Sequence, residues 1–176
     1  MSQLRVRTAL HPDADEIARL GGHVFTVTFG HSVTPDDLQK FLAESYTPSA
    51  ISAELDHQDK TTLVATDDSG AIKGFATLTR NTSEPCVETL GNKVELQRLY
   101  VDTSAHRQGV GGLLVKAMEE IAQSEGFKNI WLGVWEENHK AIKAYEKWGY
   151  KVVGSHDFTI GSIVQTDLIM AKALKD

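Results

Sequence analysis

The segment that most restricts the fold is residues 94–112. There the run VELQRLYV passes through a short loop into His106-Arg107-Gln108-Gly109-Val110-Gly111-Gly112 and on into a helix. The run at 94–101 alternates its largest side chains, as a strand does. After the glycines, GGLLVKAMEEIAQSEG carries Val110, Leu113, Leu114, Ala117, Met118 and Ile121 as one apolar stripe, and Gly126 ends it. A strand that feeds a helix through glycines places the chain among α/β architectures. The first turn of a helix has unpaired N–H groups and the positive end of the dipole, so glycines there let a phosphate approach the main chain. The dinucleotide fingerprint G-x-G-x-x-G needs glycine or alanine where Leu114 stands, and the P-loop needs Gly-Lys-Ser/Thr, which is absent after Gly112. Relief of a tight turn is the other reading that the glycines alone leave open.

Elsewhere the pattern divides into strands and helices. Residues 4–9 alternate like a half-buried strand, and Pro12-Asp13 opens a helix with Ile17, Leu20 and Val24 at helical spacing. Pro35-Asp36-Asp37 starts a second helix, and the segment between, TVTFGHS at 26–32, suits a loop. TTLVAT at 61–66 and IKGFATLTR at 72–80 flank DDSG as a hairpin. NIWLGV at 129–134 is a short buried strand. Asn138 caps a helix that Gly149 closes, and 150–158 and 164–172 are two further strands joined through TIGSI. The predicted architecture is a mixed α/β sheet of about seven strands, mostly antiparallel, with four helices on its two faces.

At 176 residues, 41% hydrophobic and 24% charged, the chain is predicted to fold as one domain over residues 1–176. No basic flank precedes an apolar stretch at the start, and no window approaches the roughly 18 apolar residues that span a bilayer, so no membrane partner is expected. The lone Cys86 has no cysteine to pair with and no His or Cys neighbours for zinc, which fits a reducing, cytoplasmic setting. No metal spacing appears. A net charge of −6 argues against a nucleic-acid partner and suits a cationic one.

A second segment gives the glycines their context: Asn138-x-x-Ala141-x-x-x-Tyr145-x-x-x-Gly149-Tyr150, in which helical spacing puts Asn138, Ala141 or Ile142, and Tyr145 on nearly one side. With the glycine turn, this resembles the GNAT acetyltransferases from about Val94 to Tyr150. In that family the turn Arg/Gln-x-x-Gly-x-Gly/Ala binds the pyrophosphate of coenzyme A, the preceding strand pairs with pantetheine, and the later helix supplies an Asn and a Tyr near the thioester. The resemblance therefore implies acetyl-CoA as cosubstrate. It would be held by Leu99, Tyr100 and Val101, by His106, Arg107, Gln108, Gly109, Val110, Gly111 and Gly112, and by Asn138. The first motif position departs from the pattern, with His106 in place of Arg or Gln and Arg107 beside it. His156-Asp157-Phe158-x-x-Gly161, the run 165–170 and Phe25-Thr26-Val27-Thr28-Phe29-Gly30 are similar to the spermidine and polyamine acetyltransferase branch.

Direct acetyl transfer needs a neutral amine, a polarised carbonyl and a proton for the leaving thiolate. The resemblance makes Tyr145 the acid that protonates sulfur; spacing alone would read it as a core aromatic. A backbone N–H near Leu99, Tyr100 or Val101 meets the oxyanion. Glu95 is the candidate base, with His31, His139 and His156 as rivals because imidazole is the side chain suited to proton transfer at neutral pH, and a bound water as a further option. Phe29 and His31 are expected to contact the acceptor, and Glu95 and Asp157 to form an acidic rim. Cys86 lacks a nearby His to activate it, so a covalent route has little support. Trp131, Trp135 and Trp148 read as core or rim residues. The predicted activity is N-acetylation of a primary amine, a polyamine or other small amine, by a monomer or homodimer. The alternatives are a degenerate coenzyme A-binding sensor and a peptide or protein N-acetyltransferase.

Overall fold

Two Thr-Pro pairs set the pattern for the first half of the chain, because a threonine pushed into extended backbone by the proline after it is ready to cap a helix. Thr34 Oγ1 accepts from the Asp37 amide at 3.2 Å and Thr47 Oγ1 from the Ala50 amide at 3.2 Å. Each pair begins a helix. In the computed structural model, which describes residues 3–175, the order is β1 (Arg5–Thr8), α1 (Ala14–Phe29), α2 (Pro35–Ser45), α3 (Pro48–Leu55), β2 (Lys60–Thr66), β3 (Ile72–Thr79) and β4 (Lys93–Val101). There follow α4 (Val110–Ser124), β5 (Asn129–Trp135), α5 (His139–Lys147), β6 (Lys151–Ile160) and β7 (Ile163–Ala173).

The mixed α/β sheet is as expected; the helix tally is not. The described residues hold five α-helices rather than four, because the Thr47-Pro48 pair breaks the second helical run and starts α3. The segment expected to be a loop at 26–32 is helical as far as Phe29. Thr26 Oγ1 donates back to the Gly22 carbonyl at 2.8 Å, and Phe25 and Phe29, four residues apart, bring their rings to 4.7 Å. Packing of one helical face outweighs the weak helix propensity of Thr-Val-Thr. Only Gly30–Ser32 remains as a 3₁₀ turn.

The seven strands lie in the order β1-β2-β3-β4-β5-β7-β6, antiparallel throughout except for β4 and β5. Between those two the chain crosses over through α4, the connection a parallel pair requires. One face of the sheet packs Leu78, Val94, Leu96, Ile130 and Leu132 against Leu114, Met118 and Tyr145 of α4 and α5. The other packs Val64, Ile72 and Phe75 against Ile17, Leu20 and Ile51 of α1 and α3. A smaller cluster, Val87, Trp131 and Ile169, lies beneath the loop before β4.

Candidate active site

The parallel ladder between β4 and β5 holds only three pairs, Lys93 with Asn129, Val94 with Ile130 and Glu95 with Trp131. Beyond Glu95, a bulge shifts the β3–β4 register so that Thr77 pairs with Arg98 but Leu78 with Leu96. A bulge bends its strand and increases the local twist. From there β4 stays with β3, β5 stays with β7, and the sheet opens between them like a V with Glu95 and Trp131 at its closed end.

The start of α4 stands at the open end. Gly109 precedes it at φ 83° and ψ 5°, a left-handed conformation that glycine adopts without a Cβ penalty, and Arg107 is also left-handed at φ 65°. No side chain caps the helix, and its first intrahelical bond runs from the Leu113 amide to the Gly109 carbonyl at 3.0 Å. The amides of Val110, Gly111 and Gly112 therefore form the unpaired positive end of the helix dipole. They open into a cavity of about 920 Å³ whose walls come from α1, β4, α4, β5 and α5. Arg107, Lys140 and Lys147 line it with positive charge, although the chain as a whole carries −6. Size, unpaired amides and cations suit a large phosphorylated ligand.

Among the residues expected to bind coenzyme A, Leu99, Val101, His106, Arg107, Gly109, Val110, Gly111, Gly112 and Asn138 line this cavity, as does Tyr145. Asn138 also caps α5, its Oδ1 accepting from the Ala141 amide at 3.3 Å. His106 Nδ1 lies 2.8 Å from Lys140 Nζ, so the histidine ties the glycine turn to the first turn of α5. Gly111 and Gly112 lie against Trp148: a Cβ on Gly111 would come within 3.2 Å of the indole. Their lack of side chains serves the packing of α5 as well as access to the amides.

Tyr100, Gln108, Phe29, Glu95 and Asp157 lie off the cavity wall. Alternation along β4 sends the Tyr100 side chain to the α1 face, where Tyr46 donates to its hydroxyl at 2.7 Å. Gln108 turns back to the Ser104 carbonyl at 3.2 Å. Phe29 packs between Phe25 and Trp135, with ring centroids at 4.7 and 5.0 Å. Glu95 is at the closed end, where burial raises its pKa and the Thr82 hydroxyl pulls it the other way. Asp157, expected on an acidic rim, accepts from Thr166 Oγ1 at 2.8 Å on exposed β6. Of the substrate candidates, His31 lines the cavity, its ring 5.8 Å from that of Trp135.

Tyr145 is 8% exposed, and among the described residues its hydroxyl has no hydrogen-bond partner. Burial raises its pKa, and the nearby Tyr100 adds to the shift, so the phenol stays protonated at neutral pH and keeps a proton to give. Lys140 and Lys147 escape the reading of the sequence, whereas Trp148, read there as a core or rim residue, lines the cavity. The signal for the lysines was their spacing of seven on the helix that Asn138 begins, which puts both on one face.

Comparison with known proteins supplies the context for this geometry. The model of the acetyltransferase (GNAT) family matches residues 31–150. An uncharacterized N-acetyltransferase of Lactobacillus delbrueckii subsp. lactis is 27% identical over 174 residues, 99% of each chain. The spermine/spermidine N(1)-acetyltransferase of Bacillus subtilis is 29% identical over 77 residues, 43% of this chain and 51% of that protein. Among solved structures, the PaiA N-acetyltransferase of Thermoplasma acidophilum in complex with coenzyme A shares the fold at a TM-score of 0.78. It is 22% identical, over 97% of this chain and 99% of that one. No described helix is long and apolar enough to cross a membrane.

Proposed function

Since the chain belongs to the acetyltransferase (GNAT) family, we propose that residues 1–176 act in the cytoplasm as one acetyltransferase domain, transferring the acetyl group of acetyl-coenzyme A directly to a primary amine. The observation that carries this reading is the uncapped, glycine-edged start of α4 opening into the same cavity that Tyr145 lines. The amides of Val110, Gly111 and Gly112 would bind the pyrophosphate, with Arg107 and Lys140 beside them. Leu99 and Val101 would lie along the pantetheine arm. The Tyr145 hydroxyl would protonate the departing sulfur, its raised pKa keeping it in the donating form. The coenzyme A complex of the Thermoplasma structure supports this use of the fold.

For the acceptor, the reading is a polyamine or another small amine. The net charge of −6 favours a cation, and the partial likeness to the Bacillus spermine/spermidine enzyme points the same way. Thiol release from acetyl-CoA, measured against spermidine, spermine, putrescine, aminoglycosides, amino acids and N-terminal peptides, tests both levels at once. A response to peptides alone removes the polyamine assignment. Silence across the panel removes the activity.

A further inference from the structure

Direct transfer to an ammonium-bearing acceptor needs a group that takes a proton from nitrogen, and Glu95 sits at the closed end of the V. We propose that the Asp167 carboxylate, held over Gly133 and level with Trp135 of the cavity wall, receives the acceptor's ammonium group and takes the proton it must lose. The proposal rests on the acetyltransferase reading above.

Register fixes where Asp167 stands. On β7 it lies opposite Trp135 of β5, which lines the cavity, and opposite His156 of β6. A Cβ on Gly133 would come within 3.0 Å of Asp167 Oδ2, so the carboxylate occupies the space that this glycine leaves above β5. Gly133 is two residues beyond Trp131, about 7 Å up the strand from the level at which Glu95 pairs. The charge of Asp167 reaches the Tyr100 hydroxyl, which in turn reaches that of Tyr145. A proton acceptor on β7 and a proton donor on α5 thus stand on opposite faces of the sheet, each coupled electrostatically to Tyr100.

The neighbouring carboxylates are otherwise engaged. Glu84 is held by His156 Nδ1 at 3.1 Å, and Glu54 by Lys60 at 3.2 Å and Arg98 at 3.0 Å. Among the described residues Asp167 makes no hydrogen bond or ion pair of its own. Burial, with a smaller push from Glu84 against the pull of His156, raises its pKa to about 6. At neutral pH it is ionised and still basic enough to accept a proton. The titratable groups that face it are His156 on β6, Glu84 in the loop before β4 and Tyr100 on β4, with His31 against the Trp135 ring at the end of α1.

The step balances. One proton passes from the ammonium to Asp167, and the freed lone pair forms the C–N bond to the thioester carbon. The C–S bond breaks with its electron pair going to sulfur, and Tyr145 protonates the thiolate. The second nitrogen proton lost as the amide forms restores the phenol, and Asp167 releases its proton to solvent, so one proton is set free per acetyl transferred.

The test is Asp167→Asn, compared with the parent protein on whichever panel amine it turns over fastest, with kcat/KM followed from pH 5 to 10. Acetyl-CoA affinity by calorimetry and the thermal midpoint serve as controls for a loss of fold. The expected result is a fall of at least 10²-fold at pH 7 with acetyl-CoA affinity kept. The inflection near pH 6 should vanish, and the deficit should shrink as pH approaches the amine pKa, because free amine then no longer needs a base. A variant within twofold of the parent overturns the role of Asp167. So does a loss by the same factor at every pH, which marks a merely structural effect. If the parent protein binds acetyl-CoA but acetylates no amine, the acetyltransferase reading falls first and this inference with it.

Discussion

Replacing Tyr145 by phenylalanine separates two roles that the structure makes distinguishable. The ring belongs to the main core, packed edge to face against Trp148 and Tyr150 at centroid distances of 5.8 and 5.7 Å. Phenylalanine keeps all of that. The hydroxyl has no hydrogen-bond partner among the described residues, and Tyr145 lines the cavity, where solvent can satisfy it. Removing it should therefore leave stability within about 0.5 kcal/mol of the parent. If the hydroxyl is the proton donor to sulfur, turnover should fall by about 10²- to 10⁴-fold, the usual worth of a general acid, or about 3–5 kcal/mol of barrier. Since the hydroxyl is not required to hold the pyrophosphate, the affinity for acetyl-CoA should stay within about twofold. Steady-state thiol release, calorimetric titration and urea unfolding measure the three quantities independently. Turnover within twofold of the parent protein would refute the acid role and leave Tyr145 as a packing residue; a fall in turnover accompanied by an equal loss of stability would refute the separation argued from its missing partner.

Gly111→Val should weaken acetyl-CoA binding at least tenfold, about 1.4 kcal/mol, because its Cβ would crowd Trp148 and its branches would cover the first-turn amides; unchanged affinity by calorimetry removes the phosphate site from α4. Gly74→Ala should destabilise by about 1–3 kcal/mol, since its Cβ would meet the Tyr100 carbonyl at 2.8 Å and Val110 Cγ1 at 2.9 Å, and an unshifted urea midpoint contradicts that close approach of β3 to α4. Asp167→Asn should stabilise the fold at pH 7. A carboxyl whose folded pKa is raised from 3.8 to about 6 binds protons more tightly in the folded state, so the parent protein loses stability as pH rises through that window. The variant escapes this loss, with a ceiling of about 3 kcal/mol that disappears below about pH 4, and a midpoint difference independent of pH would contradict the raised pKa.

What the sequence disclosed follows from the range over which its signals act. Periodicity of 2 or 3.6 residues is local, and so are capping by Asn138 and termination at Gly126 and Gly149; each of these features was visible from one short window. The Thr47-Pro48 break was written in the sequence as plainly as Thr34-Pro35, yet α2 and α3 lie too close together for periodicity to divide them. The continuation of α1 through Phe29 depends on the rings of Phe41 and Trp135, distant in sequence, packing on the Phe25 and Phe29 rings. Asp167 lay hidden for a similar reason. Its place over Gly133 comes from the β5–β7 register, a pairing across more than thirty residues that no local pattern encodes. Glu95, by contrast, drew attention because it begins the strand leading to the glycine turn, and the three-pair ladder then leaves it at the closed end.

That short ladder has a thermodynamic consequence. Past Glu95 and Trp131, two strands in the middle of a sheet each have one flank without a neighbour, an interior counterpart of the exposed edges that proteins usually cover or shorten. A ligand lying along that gap serves as a structural member, supplying contacts that the polypeptide withholds. By mass action, a ligand bound only by the folded chain adds about 2.7 kcal/mol when present at a hundred times its dissociation constant. The folded fraction and the resistance to proteolysis of this chain then become functions of ligand supply, so that a change in the concentration of the bound species alters how much of the protein persists as well as how fast it works.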